Sequence, residues 1–315
     1  MNRRQFTLGA LSVATATTLY GRSAAVQLER EHPMKHTQFI ARQKHIQLSG
    51  LAHDAIDIAY TDIGAGPPLI LMHGIPTWSF LYHEVIDRLA ETNRVIAPDF
   101  IGHGSSDQRD GLDRSLLAQR DMILALMDAL GFEKATLVGH DTGGGVALIM
   151  AVENQHRVDR LVLSNIVAYD SWPIDDMIHF GHPGWAKKSN EEIRDFLVGG
   201  FNDGLSRKDR LTPEFVDGIV APYITDRGKV SLIRNASSLN TNHTTMLIGR
   251  HETIRAKTLL VWGEDDPWQP IADGERLARE IPDATLVRVA NASHWIPQDA
   301  PEEWLASVQP FVSDT

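Results

Sequence analysis

The chain has 315 residues, 43% of them hydrophobic and 23% charged, which excludes a disordered tail and leaves room for one large domain with an insertion. A net charge of −11 supplies no basic footprint, so no nucleic-acid partner is expected. Cysteine is absent, which excludes disulfides, thiol catalysis and Cys-ligated zinc, and no apolar run reaches the roughly 18–20 residues of a membrane span.

Residues 1–25 read as a twin-arginine-type signal peptide. Asn2-Arg3-Arg4-Gln5-Phe6-Thr7-Leu8 is a charged start, Thr7 to Tyr20 is mildly apolar, and Ser23-Ala24-Ala25 precede the charged Glu29-Arg30-Glu31. The expected destination is the periplasm or the exterior; the alternative is an amphipathic N-terminal arm.

Beyond it, strands and helices alternate. Ile56–Thr61 alternates with period two, as an antiparallel strand does. Pro68–Met72, Arg94–Ala97, Ala135–Val138, Arg160–Leu163, Thr258–Trp262 and Thr285–Val289 are short continuous apolar runs, the pattern of parallel strands covered on both faces. Leu116–Leu130 has helical spacing and stops at Gly131. The predicted class is α/β, a mostly parallel doubly wound sheet. Its core comprises residues 44-166 and 251-315. Residues 167-250 hold no strand-like run, only helical pieces such as Glu191–Val198 and Lys229–Leu239 broken by prolines, and read as a helical lid inserted between two core strands.

The chemistry falls at strand ends. Gly139-His140-Asp141-Thr142-Gly143 has the glycine spacing of a nucleophile elbow, with aspartate as the projected residue; the alternative role for Asp141 is a helix N-cap. His73-Gly74-Ile75-Pro76 follows an earlier strand, where a loop supplies one oxyanion-hole N–H, here Ile75, and Thr142 supplies the other. His73 itself reads as structural. Later come Gly263-Glu264-Asp265-Asp266 and Ser293-His294-Trp295, so nucleophile, acid and histidine occur in the order of a hydrolase triad. Asp266 is the chosen acid; Asp265 and then Glu264 are the fallbacks. A carboxylate is already ionised at neutral pH and attacks saturated carbon directly, leaving an ester that a histidine-activated water hydrolyses. No cofactor and no metal site are expected, since His179 and His182 have no carboxylate at ligand spacing.

From about His45 onward the sequence resembles the α/β-hydrolase superfamily, and within it the haloalkane dehalogenase and epoxide hydrolase branch. The resemblance lies in His73–Tyr82, Ala97–Asp107, Gly139-His140-Asp141 and Ser293-His294-Trp295. It implies an α/β-hydrolase fold, with Asp141 as nucleophile, His294 as base and Asp266 as the acid orienting it. Dehalogenases, however, carry tryptophan where this chain has Thr142, and Asn or Glu where it has Ile75, and those side chains hold the leaving halide. Trp172 or Trp185 of the lid are the candidate replacements. Epoxide hydrolases need lid tyrosines to protonate the opening oxygen, for which Tyr169 and Tyr223 are the candidates. Trp78, His243 and Trp295 complete the candidate substrate contacts. The expected activity is carbon–halogen hydrolysis of a small apolar substrate; the alternatives are epoxide hydrolysis to a diol and ligand binding without turnover.

Overall fold

A computed structural model describes residues 34–313, so the signal-peptide reading of residues 1–25 lies outside the described residues. The strands are β1 (Gln43–Leu48), β2 (Ile56–Ile63), β3 (Pro68–Met72), β4 (Arg94–Pro98), β5 (Ala135–Asp141), β6 (Val158–Ile166), β7 (Lys257–Gly263) and β8 (Ala284–Val289). They form one 8-stranded sheet in the order β1-β2-β4-β3-β5-β6-β7-β8. β2 runs antiparallel to both β1 and β4, and every other pairing is parallel.

The apolar runs explain the centre of the sheet. β5 is buried at every position, and β3 and β7 at all but their first, because helices cover both faces. Two expectations need correction at the edges. β1 was not anticipated, since its exposure follows no alternation. β8, read as a covered strand, is the last strand of the sheet and is mostly half-exposed, with only Val289 buried.

Chain order reverses between β3 and β5. From β3 the chain steps outward to β4, then returns across β3 to β5, so loops leaving β3 and β5 diverge and open a crevice at their carboxyl ends. Ile75 follows β3 and Asp141 ends β5.

Between β6 and β7 the described chain is helical, with longer helices at Asn190–Asp203, Pro213–Val220 and Asp226–Ser237. Their starts follow local rules. Ser189, Thr212 and Thr225 each accept a backbone N–H three residues on, and Pro213 occupies a first turn, where it lacks only a hydrogen that would be unpaired anyway. Side chains fasten this segment to the core: Trp78 Nε1 donates to the Gly218 carbonyl at 3.2 Å, Tyr223 Oη to that of Thr77 at 2.8 Å, and Asn235 Nδ2 to that of Gly102 at 2.8 Å. No helix among the described residues is long and apolar enough to cross a membrane.

Candidate active site

Asp141 stands between β5 and the helix Thr142–Glu153 with φ +50° and ψ −123°. Such a conformation is strained for a non-glycine residue and persists only where the surroundings dictate it. Here glycines do so. A Cβ on Gly139 would lie 2.5 Å from Gly144 Cα, and one on Gly143 would overlap the carbonyl oxygens of Met72 and His73. Strand and helix therefore pack backbone to backbone, and the tight turn lifts the Asp141 side chain over the sheet. That side chain makes no capping bond to the helix.

The Asp141 carboxylate meets two backbone donors instead. Its Oδ1 accepts the Ile75 N–H at 2.8 Å, and the adjoining Thr142 N–H acts on the same carboxylate. Burial pushes its pKa above the usual carboxylate value, while His294 and these N–H groups pull the other way. Oδ2 faces His294 Nε2 at 3.8 Å, beyond hydrogen-bond length, so no tight ion pair ties up the oxygen.

On its other side His294 Nδ1 bonds Asp266 Oδ2 at 2.9 Å. Burial alone would lower the imidazole pKa, but the Asp266 and Asp141 carboxylates together outweigh it, and the net direction is up. Asp266 is itself locked: Oδ2 also accepts Asn165 Nδ2 at 2.7 Å, and Oδ1 accepts the backbone N–H of Trp268 at 2.8 Å and of Gln269 at 2.9 Å. Asp265 turns outward and accepts the Ser206 hydroxyl, so the structure brings Asp266 and not Asp265 or Glu264 to the histidine. Asn165 was missed; the signal was a polar residue ending an apolar strand. His140, also missed, donates from Nε2 to the His294 carbonyl at 2.8 Å and fixes that loop. His73 is buried between Gly74 O and the Phe100 N–H, and burial pushes its pKa down to about 4.

Above Asp141 and His294 lies a cavity of about 290 Å³. Ile75, Thr142, Trp172 and Trp295 line it, as do Trp268, Gln269, Met177 and Phe196, which the sequence did not single out. The indole N–H of Trp172 is taken by Thr244 Oγ1 at 2.7 Å and that of Trp295 by Gly200 O at 3.4 Å.

Five candidate substrate contacts are corrected, since none lines this cavity. Trp78 and Tyr223 are fully buried and hold the β6–β7 segment to the core through the bonds given above. Tyr169 points to the far side, donating to Glu280 Oε2 at 2.9 Å beneath the Arg276 guanidinium. Trp185 packs on Phe180 and on the back of Phe196, with ring centroids 5.0 and 4.7 Å away. His243 sits on the short helix Asn242–Thr245, whose inward face is taken by its neighbour Thr244. Among the described residues no cluster of three or more His, Cys, Asp or Glu suits a metal ion.

The sheet order, the elbow and the residues that meet above it are those of an α/β hydrolase, and residues 67–301 match the α/β-hydrolase fold family. Haloalkane dehalogenase 2 of Mycobacterium tuberculosis is 31% identical over 269 residues, covering 80% of this chain and 90% of that protein. A soluble epoxide hydrolase of Corynebacterium sp. is 36% identical over 157 residues, covering 44% of this chain and 54% of that one. A solved α/β hydrolase fold protein from Burkholderia ambifaria superposes with a TM-score of 0.78 at 26% identity, covering 84% and 96% of the two chains. The chain belongs to the α/β-hydrolase superfamily, in its haloalkane dehalogenase and epoxide hydrolase branch.

Proposed function

We propose that this hydrolase cleaves the carbon–halogen bond of a small, mainly apolar haloalkane through a covalent ester on Asp141, with the helical segment between β6 and β7 as a lid. One observation carries the reading. Asp141 Oδ1 is held by the Ile75 N–H at 2.8 Å, while Oδ2 faces the cavity side of His294 without a close partner. In the first step Oδ2 bonds to carbon and the halogen leaves with the bonding pair as halide. In the second, His294 Nε2 takes a proton from water, and the oxygen of that water attacks the Asp141 carboxyl carbon. The Ile75 and Thr142 N–H groups hold the resulting oxyanion, worth about 3–4 kcal/mol per donor. Collapse returns the proton from His294 to the departing alcohol oxygen and leaves Asp141 as the carboxylic acid, which loses the second proton of the water to solvent and is a carboxylate again. Asp266 keeps the imidazole tautomer and stabilises its cation.

The Corynebacterium relative keeps epoxide opening as a second reading. Against it, no tyrosine among the described residues lines the cavity, so the acid that an opening epoxide oxygen needs is not one of the described lid tyrosines.

The test separates the two steps. With 1-bromobutane, Asp141→Asn is expected to give neither bromide release nor adduct, whereas His294→Gln accumulates a butyl mass increment on Asp141. Normal turnover by His294→Gln, or an adduct elsewhere, would overturn the mechanism. Styrene oxide converted faster than any bromoalkane would favour the second reading. Ligand-dependent thermal stabilisation without product would favour binding without turnover.

A further inference from the structure

We infer that Gln269 hydrogen-bonds the halide leaving carbon as Asp141 attacks, an inference that rests on the aspartyl-ester reading. A departing halide gains nearly a full negative charge inside an apolar cavity, where an anion without a donor is costly. The two side chains that hold the halide in dehalogenases are replaced here by Ile75 and Thr142. The backbone N–H groups of both residues already serve Asp141. The indoles of Trp172 and Trp295 donate to Thr244 Oγ1 and Gly200 O.

Gln269 stands apart from these. It is 2% exposed, lines the cavity, and receives the Ser171 hydroxyl on Oε1 at 3.2 Å, while no described residue accepts from its Nε2. Its Nε2 is thus a donor free to meet an acceptor bound in the cavity. The residue is also rigidly placed. Its N–H is held by Asp266 Oδ1 at 2.9 Å and its carbonyl by Trp262 Nε1 at 2.9 Å, so one short segment from Asp266 to Gln269 orients the base and presents the donor. The Thr142 hydroxyl and the Trp268 indole are the lining's other uncommitted donors; Trp268 is half-buried, and Thr142 adjoins the nucleophile and attaches through its backbone.

The electron and atom balance fits a carboxamide. The Oδ2–carbon bond forms, the carbon–halogen bond breaks, and Gln269 Nε2–H solvates the halide without transferring a proton. An epoxide oxygen would need a proton that a carboxamide cannot release, so this donor favours halides over epoxides.

The experiment measures the rate of adduct formation on Asp141 in the His294→Gln background with 1-chloro-, 1-bromo- and 1-iodobutane. Adding Gln269→Leu is expected to slow alkylation by about tenfold to a hundredfold, most for chloride and least for iodide, because the smaller halide depends more on hydrogen bonding. Gln269→Glu is expected to slow alkylation at neutral pH, where its carboxylate repels the departing halide, and to recover toward acid as far as Asp141 stays ionised; the dependence on the halide in Gln269→Leu is the readout that a merely structural role would not move. Thermal melting of each variant identifies misfolding, and Gln269→Glu keeps the side-chain shape should Gln269→Leu unfold. Equal rates in Gln269→Leu and its parent for all three halides would overturn the inference. So would leaving-group dependence that moves with Thr142→Val or Trp268→Phe and not with Gln269. An absence of adduct in the His294→Gln parent would instead sink the aspartyl-ester reading and the inference with it.

Discussion

Gly74 and Asp141 face each other so closely that a Cβ on Gly74 would overlap the Asp141 carboxylate, with Oδ1, Cβ and Cγ all in its path. Gly74 precedes Ile75, whose N–H holds that same Oδ1 at 2.8 Å. Close approach of the first loop to the nucleophile is thus possible only without a side chain at this position. Gly74→Ala is expected to displace the carboxylate from its donor and slow alkylation about a hundredfold, the effect of a misplacement near 1 Å. Single-turnover adduct formation measures it, with circular dichroism to show the fold intact. Alkylation at the parent rate would mean the Ile75 contact is dispensable.

In the proposed aspartyl-ester mechanism each of the two steps needs a different group deprotonated. Alkylation needs ionised Asp141, whose pKa is raised by burial; ester hydrolysis needs neutral His294, whose pKa is raised overall because Asp266 and Asp141 outweigh burial. As pH falls, the imidazole protonates from above its ordinary value of about 6.5, which stops ester hydrolysis, so the ester builds up wherever alkylation persists below that point. Under mildly acidic conditions the wild-type enzyme is expected to accumulate the alkyl ester that only His294→Gln accumulates at neutral pH. Once formed, the ester removes the Asp141 charge and with it one cause of the raised imidazole pKa, which shifts the hydrolysis limb toward lower pH than in the free enzyme. Acid quench followed by intact-mass measurement reads the adduct fraction directly. A fraction that does not change with pH would show that His294 is not the titrating base.

What could be read from the sequence here was local. The run Pro68–Met72 coincides with β3 because a strand covered on both faces must be apolar throughout. The elbow was visible because the close approach of strand and helix demands glycine at fixed spacing from Asp141. What escaped depended on partners far along the chain. Trp78 and Tyr223 resembled substrate contacts until their acceptors, Gly218 and Thr77, were found 140 and 146 residues away. Gln269 and Asn165 drew no notice, since a carboxamide beside a proline-rich turn or at a strand end is ordinary until its neighbours are known. Their roles follow from what surrounds Asp266, which no spacing rule encodes.

Asp299 ties the β6–β7 segment to the histidine loop. It is fully buried and accepts three backbone N–H groups, from Ser206 and Arg207 at 2.9 Å each and from Ser293 at 2.7 Å. Ser293 adjoins His294, and Ser206 and Arg207 follow the helix Asn190–Asp203, so one carboxylate fixes both. Asp299→Asn sets an amide N–H2 against backbone donors and removes the charge assisting these bonds. The expected cost is about 2–3 kcal/mol of stability, read as a lower urea midpoint. A fall in the ester hydrolysis rate should accompany it, because the loop that carries the base loosens. A midpoint unchanged from wild type would mean these bonds are replaced by water at no cost.

The exposed rim of the cavity is acidic. No lysine or arginine among the described residues lines the cavity, whereas the exposed carboxylates of Asp176, Asp195 and Asp203 do, beside the Asp141 carboxyl group. A substrate carrying its own carboxylate would enter against this field without a counter-ion, and burial of an unpaired charge adds to the penalty. Interactions across a solvated rim are worth only about 1 kcal/mol per pair at 4 Å in water, so the rim and the desolvation cost must act together. 4-Bromobutanoate is therefore expected to show a KM about tenfold or more above that of 1-bromobutane at low ionic strength. The trimethylammonium analogue should fall at or below the neutral compound, since its charge is attracted by the rim and its methyl groups suit the aromatic walls. Added salt near 1 M shortens screening to about 3 Å, so it should narrow the gap caused by the rim and leave the part caused by burial. Asp195→Asn at low salt should move the anionic substrate's KM in the same direction as salt does. Equal KM values for the three compounds at low ionic strength would show that these carboxylates do not face the path the substrate takes.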